Sequence, residues 1–171
     1  MTCCVTGHRP QKFPFEYSSK CSKYVKYREL LYNTVEQLIL EGYRYFISGM
    51  AQGVDLDFAE TVVQLKDNVY ICTYDIKLEA ALPFTEHSHD WEEKFLIKHW
   101  FLLDYCDKVK IVSPNFHKGC FQKRNKYMVD NSDLVLAIWN GEERGGTWNT
   151  IKYARSKKKK IIYIMLNEIE D

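Results

Sequence analysis

The stretch from Tyr43 to Glu60, YRYFISGMAQGVDLDFAE, constrains the fold more than any other part of the chain. Tyr45-Phe46-Ile47 is a run of aromatic and β-branched residues, which predicts a short buried strand. Ser48-Gly49 ends the run, and Gly53 follows where a chain turns sharply. Val54, Phe58, Val62 and Leu65 then recur at spacings of four, four and three, a helical stripe. Strand, glycine turn and helix make half of a βαβ unit. The first amides of a helix have no partner within it and carry the positive end of its dipole. Glycines let an anion come close to those amides, so the junction suits a phosphate. A tight connection that holds no ligand explains the same glycines equally well.

The rest of the chain repeats the alternation. Thr2 to Thr6 reads as a strand ending at Gly7-His8-Arg9-Pro10. From Cys21 to Glu41 the residues Tyr24, Tyr27, Leu31, Val35, Leu38 and Ile39 follow a helical period, with Glu41-Gly42 closing the helix. Val69 to Tyr74 is expected to be a third strand, and Leu78 to Thr85 a loop, because Pro83 interrupts it. His89 to Cys106 is expected to be a long helix with Trp91, Phe95, Trp100 and Leu103 turned to the core. Val109 to Val112 is a fourth strand, Phe121 to Val129 a helix, and Thr147 to Ser156 another. Leu134 to Trp139 is uninterruptedly apolar, as a strand covered on both faces requires, and Ile161 to Leu166 is the sixth strand. Strands alternating with helices predict an α/β fold, a single Rossmann-like, doubly wound and mainly parallel sheet with helices on both faces. No linker or repeat divides residues 1–171, so one domain is expected.

Composition excludes some functions. Hydrophobic residues make up 46% of the chain, enough for a packed core and too many for a disordered one. No apolar run approaches the roughly 18 residues that a membrane span needs, so no membrane partner is expected. MTCCVTGHRP lacks the features of a secretory signal, which makes the cytoplasm the expected location. Twenty-four Lys and Arg stand against 23 Asp and Glu, a balance that argues against nucleic acid as a partner. Cys3, Cys4, Cys21, Cys72, Cys106 and Cys120 show no metal-ligand spacing and read as structural thiols, with Cys3, Cys4 and Cys72 in strands. His87 and His89 are an isolated pair, and no metal is expected.

In doubly wound sheets ligands bind outside the carboxyl ends of the strands, where strand order reverses. After the first strand, Arg9 suits a two-pronged grip on a phosphate or carboxylate. After the second, Asp55 lies in the first helical turn, where a carboxylate complements the dipole. After the fifth, Gly145-Gly146-Thr147 opens a helix and repeats the glycine logic. Gly119 to Asn125 adds the cations Lys123 and Arg124, whereas Lys157 to Lys160 reads as a solvated helix end. No catalytic set emerges: Asp55, Glu79, Glu142 and Glu143 are the available acids, and none is singled out as a general base.

TGHRP, SGMAQGVD, GCFQKRNKYMVDNSDLVLAIW and GGTWNT, in that order, resemble the YpsA-like group of the SLOG superfamily, which also holds the DNA-processing protein A (Smf) domain and the lonely-guy nucleotide hydrolases. The resemblance implies a Rossmann-like fold, a homodimer, and a pocket for a nucleotide or nucleotide-derived ligand such as ADP-ribose or NAD. Carried over by motif, the pocket takes Gly7, Arg9, Ser48, Gly49, Gly53, Asp55, Arg124, Asn125, Gly145, Gly146 and Thr147. Lonely-guy hydrolases carry a glutamate after the last glycine turn. Here Trp148-Asn149-Thr150 follows instead. The expected function is therefore a cytosolic binding or sensor protein for such a ligand. Nucleoside-monophosphate phosphoribohydrolase is the first alternative and single-stranded DNA binding the second.

Overall fold

The computed structural model describes residues 1–170. In chain order the elements are β1 (Thr2–Gly7), α1 (Ser22–Leu40), β2 (Tyr45–Ser48), α2 (Val54–Lys66), β3 (Lys77–Leu82), α3 (Glu93–Asp104), β4 (Lys108–Ile111), α4 (Cys120–Asp130), β5 (Leu134–Trp139), α5 (Gly145–Ser156) and β6 (Lys160–Met165). The strands form one six-stranded sheet in the order β4-β3-β2-β1-β5-β6. All five neighbouring pairs are parallel, as crossover helices require. The chain steps outward from β1 to β4, returns, and steps outward again through β5 and β6. Strand order thus reverses between β1 and β5, where Gly7 lies opposite Ile138. The crevice expected of such sheets opens there.

Burial follows the pleat. Cys3 and Val5 face a core built with α1, α2 and α3, whereas Cys4 faces one built with α4 and α5. β5 is buried along its whole length, as its apolar run predicts. The fold class is therefore Rossmann-like with both faces covered. None of the described helices is long and apolar enough to cross a membrane.

Two adjacent expectations fail together. Residues 69–74 are turns rather than a strand, with Val69 and Tyr70 exposed and Cys72 at the surface. The Asn68 side chain accepts from the amide of Tyr70 (2.9 Å), and the Asn68 carbonyl accepts from Ile71 (2.9 Å) and Cys72 (2.7 Å). A local polar side chain has outcompeted strand propensity. The strand instead comprises Lys77–Leu82, and Pro83 falls just beyond it, where no ladder amide is needed. Glu79 disguises that strand. It is 2% exposed, yet its carboxylate accepts from Tyr45 Oη (2.5 Å), Tyr127 Oη (2.6 Å) and Lys108 Nζ (2.9 Å). A buried charge satisfied from three elements is invisible to periodicity.

α3 starts later than expected, at Glu93, and its buried stripe is Phe95, His99 and Leu102. Trp100, one position past that stripe, is 62% exposed, so it does not fill the core. Trp91 does pack against the core.

One side chain ties the helical layer over this face together. Asp57, on α2, is fully buried and accepts from Tyr17 (2.7 Å), Tyr24 (3.3 Å), Tyr27 (3.3 Å), Arg28 (3.3 Å) and Lys98 (3.0 Å). Glu60 shares both cations, at 2.7 Å from Arg28 and 2.9 Å from Lys98. The donors to Asp57 come from α1, α3 and the loop that follows the cleft-side residues 9–12. Replacing Asp57 by alanine takes the acceptor from three buried or half-buried hydroxyls and leaves two cations with Glu60 alone, an expected loss of roughly 3 kcal/mol or more. Urea unfolding checks this, and a loss below about 1 kcal/mol would remove Asp57 as the tie.

Candidate functional site

A cleft of about 600 Å³ opens at the carboxyl ends of β1 and β5. Its wall includes Gly7, Arg9, Asp55, Arg124, Asn125, Gly145, Gly146 and Thr147, eight of the residues named from sequence. Ser48, Gly49 and Gly53 do not line it. They stand behind it as packing. Ser48 is fully buried, donating to the Asp55 carbonyl (2.7 Å) and accepting from the Met50 amide (3.1 Å). That bond and complete burial hold Met50 at φ +54°, a conformation a side chain seldom adopts.

The glycines divide into two kinds. A Cβ on Gly7 would lie 2.6 Å from Val54 Cβ, one on Gly49 would lie 2.5 Å from Asp55 Oδ2, and one on Gly53 would lie 2.5 Å from the His8 carbonyl oxygen. These residues are glycine because chain packs on chain. Around Gly145 and Gly146 nothing lies within 4 Å of where a Cβ would be. Their missing side chains leave open space at a helix start. The amides tell the same story. Val54 of α2 donates to His8 O (3.2 Å) and Leu56 to Ala51 O (3.3 Å), so the α2 start is served by the protein itself. Among the described residues, the amides of Gly145, Gly146 and Thr147 donate to no protein group. The anion logic therefore fits α5 and not α2.

A chain of hydrogen bonds fixes the α5 start in place. Buried Arg124 donates through Nη1 to the carbonyls of Gly49 and Ala81, at the ends of β2 and β3. Its Nε donates to Asn125 Oδ1 (2.8 Å), Asn125 Nδ2 to Thr150 Oγ1 (3.0 Å), and Thr150 Oγ1 to Gly146 O (2.9 Å). Thr147 Oγ1 donates to Gly7 O (2.9 Å), joining the helix to β1. Arg124, Asn125, Thr147 and Gly146 thus belong to one scaffold, although they are far apart in sequence.

The charges are arranged unevenly. Asp55 sits 3.8 Å from Arg124 and accepts from the Ala51 amide (3.3 Å). Burial pushes the Asp55 carboxyl up, against the pull of Arg124, that amide and Arg9. Burial likewise pulls the Arg124 guanidinium down, and Asp55 opposes it. At the rim Arg144 pairs with Glu142 (3.1 Å). Arg9 and Lys12, also in the wall, form no ion pair among the described residues and supply uncommitted positive charge.

Sequence reasoning missed several wall residues. His8 is 7% exposed, accepts from the Asn140 amide at Nε2 (3.2 Å), and so ties β1 to β5 across the reversal. Burial lowers its pKa, which keeps it neutral at neutral pH. Its place in TGHRP was the available signal. Gln11, Lys12, Gln52, Phe121 and Arg144 also line the cleft. Phe121 lies in the first turn of α4, and the other four project from segments between the strands and α-helices, whose paths no periodicity reveals.

Beside the cleft, His87 and His99 pack edge to face (5.0 Å between centroids) with Trp91 against both (5.4 and 5.2 Å). Burial holds both histidines at about 4, so they are neutral. His87 Nδ1 lies 3.2 Å from the Phe84 carbonyl and therefore carries the proton, while His87 Nε2 and His99 Nδ1 are buried without partners. In the lysine run, Lys157 pairs with Asp130 (3.5 Å) and Lys159 donates to Ser132 O (2.6 Å), tying the turn between α5 and β6 to the end of α4 and the turn after it.

The contrast between glycines predicts a contrast in stability. Gly53→Ala, at φ +92° and against backbone, should cost roughly 1–3 kcal/mol. Gly146→Ala, facing open space, should change stability by less than about 0.5 kcal/mol. Chemical unfolding of the two variants checks the division, which equal losses would contradict.

Comparison with known proteins agrees with this architecture. A family model, YpsA, described as the YspA SLOG family, matches residues 3–169. A UPF0398 protein of Macrococcus caseolyticus is 24% identical over 174 residues, covering 98% of this chain and 91% of that protein. One of Halalkalibacterium halodurans is 25% identical over 162 residues, covering 93% of this chain and 82% of its own length. Among solved structures, DNA processing protein A from Streptococcus pneumoniae superposes with a TM-score of 0.58 at 15% identity. That likeness covers 95% of this chain and 49% of the other, and it speaks to the fold alone. With its sheet, its strand-end cleft and a family model spanning almost every residue, the chain belongs to the YspA SLOG family.

Proposed function

We propose that this protein binds a nucleotide or nucleotide-derived ligand of the ADP-ribose or NAD class, as a cytoplasmic binding or sensor protein. One observation carries the reading. The start of α5 offers free amides and open space at Gly145 and Gly146, at the strand-order reversal and beside the unpaired cations Arg9 and Lys12. A phosphate there accepts hydrogen bonds from the helix start and a forked contact from Arg9. Asp55 and Arg124 form the floor and hold its shape rather than its charge, since they satisfy each other. The cleft volume falls within the range of small-ligand sites.

A panel of nucleotides including ADP-ribose and NAD is expected to raise the melting temperature. Arg9→Ala, at an exposed position, should leave the melting temperature of the free protein unchanged and weaken that ligand by roughly 10- to 100-fold, as loss of a charge-assisted contact does. No shift and no calorimetric binding across the panel would overturn the reading.

A second reading has one observation in its favour. Asp55 is a carboxyl in the cleft whose proton affinity burial has raised, the property a general acid needs for cleaving an N-glycosidic bond. Under that reading AMP releases free adenine, and Asp55→Asn abolishes the release. Release at background level from common nucleoside monophosphates would eliminate it.

A further inference from the structure

The cleft continues past Arg9. Arg9, Gln52 and Phe121 are also walls of a second cavity of about 580 Å³, whose remaining lining includes Phe84, Trp91 and Phe116. Phe84 meets Phe116 and Phe121 edge to face, at 5.5 and 5.9 Å between centroids, so neither ring is stacked by its neighbour. Phe116 is 68% exposed, an unusual position for a phenyl group that lines a concavity. The charge also changes sign between the two cavities. Glu86 and Asp90 stand in the wall of this one, whereas in the first Asp55 and Glu142 are matched by Arg124 and Arg144, and Lys12 is left over. A phosphate is repelled from the aromatic cavity and drawn to the α5 start. A flat ring bearing amino donors suits the reverse placement.

We propose that the aromatic cavity seats the base of the nucleotide whose phosphate lies at the α5 start, its ring face against Phe116 and Phe121 and its amino group toward Glu86 or Asp90. This assignment rests on the nucleotide reading above. Arg9, common to both cavities, lies where the sugar and the inner phosphate pass. Base-to-aromatic stacking tolerates different bases, and the acidic wall then favours those with exocyclic amines.

AMP and ribose 5-phosphate differ only by the base, which makes them the probes. Calorimetry should find AMP bound on the order of tenfold tighter than ribose 5-phosphate, and Phe116→Ala should erase that difference while leaving ribose 5-phosphate unchanged. Phe116→Trp, which keeps a ring face, should preserve the preference for AMP. The exposure of Phe116 makes a folding defect an unlooked-for outcome, and unchanged melting of the free variants checks it. Equal affinity for the two probes, or a preference that survives Phe116→Ala, overturns the base cavity and leaves the anion cleft standing. No binding of either probe, with ADP-ribose silent as well, overturns both.

Discussion

Arg124 is the constraint on which the site's geometry depends. A guanidinium taken out of water is costly unless its donors are used and its charge is offset. Here Nη1 serves the carbonyls of Gly49 and Ala81, Nε serves Asn125, and Asp55 lies at 3.8 Å. Those partners come from the ends of β2 and β3, from α4 and from α2. Gly49 has no side chain because Arg124 occupies the space where a Cβ would be. The arginine that a sequence reading would aim at a ligand is thus a strut. Its reach through Asn125 and Thr150 to Gly146 positions the amides that remain free.

That arrangement separates two jobs which glycine motifs superficially share. Gly7, Gly49 and Gly53 allow β1, α2 and α4 to approach one another closely. Gly145 and Gly146 leave room at a helix start for something else. Uncommitted charge follows the same division. Asp55 and Arg124 answer each other, as do Glu142 and Arg144, whereas Arg9 and Lys12 form no ion pair among the described residues. Among the described residues of the cleft wall, the charge left without an ion pair is positive.

Most of the fold was legible because most of it obeys simple periods. The apolar run of β5 and the helical stripes of α1 and α2 fall where pattern places them. The failure at residues 69–82 has a definite cause. Asn68 turned a sequence of good strand formers into turns, and tyrosines and a lysine from elsewhere licensed Glu79 within a strand. The site was legible as motifs but not as roles. Spacing brought Gly53 and Gly146 together as equivalents, and only the atoms near each distinguish packing from access. The Asp57 tie, His8 and the aromatic cavity depend on loops and on contacts between distant helices, and no local pattern announces them. Membership of the YspA SLOG family agrees with the motif order and leaves the ligand to be found by chemistry.

The central claim is that negative charge is held by the backbone at the start of α5. Amide resonances recorded during titration with ADP-ribose test it most directly. The account predicts large, saturable shifts at Gly146 and Thr147 with little change at Gly53 and Val54. Shifts confined to the α2 start, or none at either helix start under saturating ligand, would contradict it.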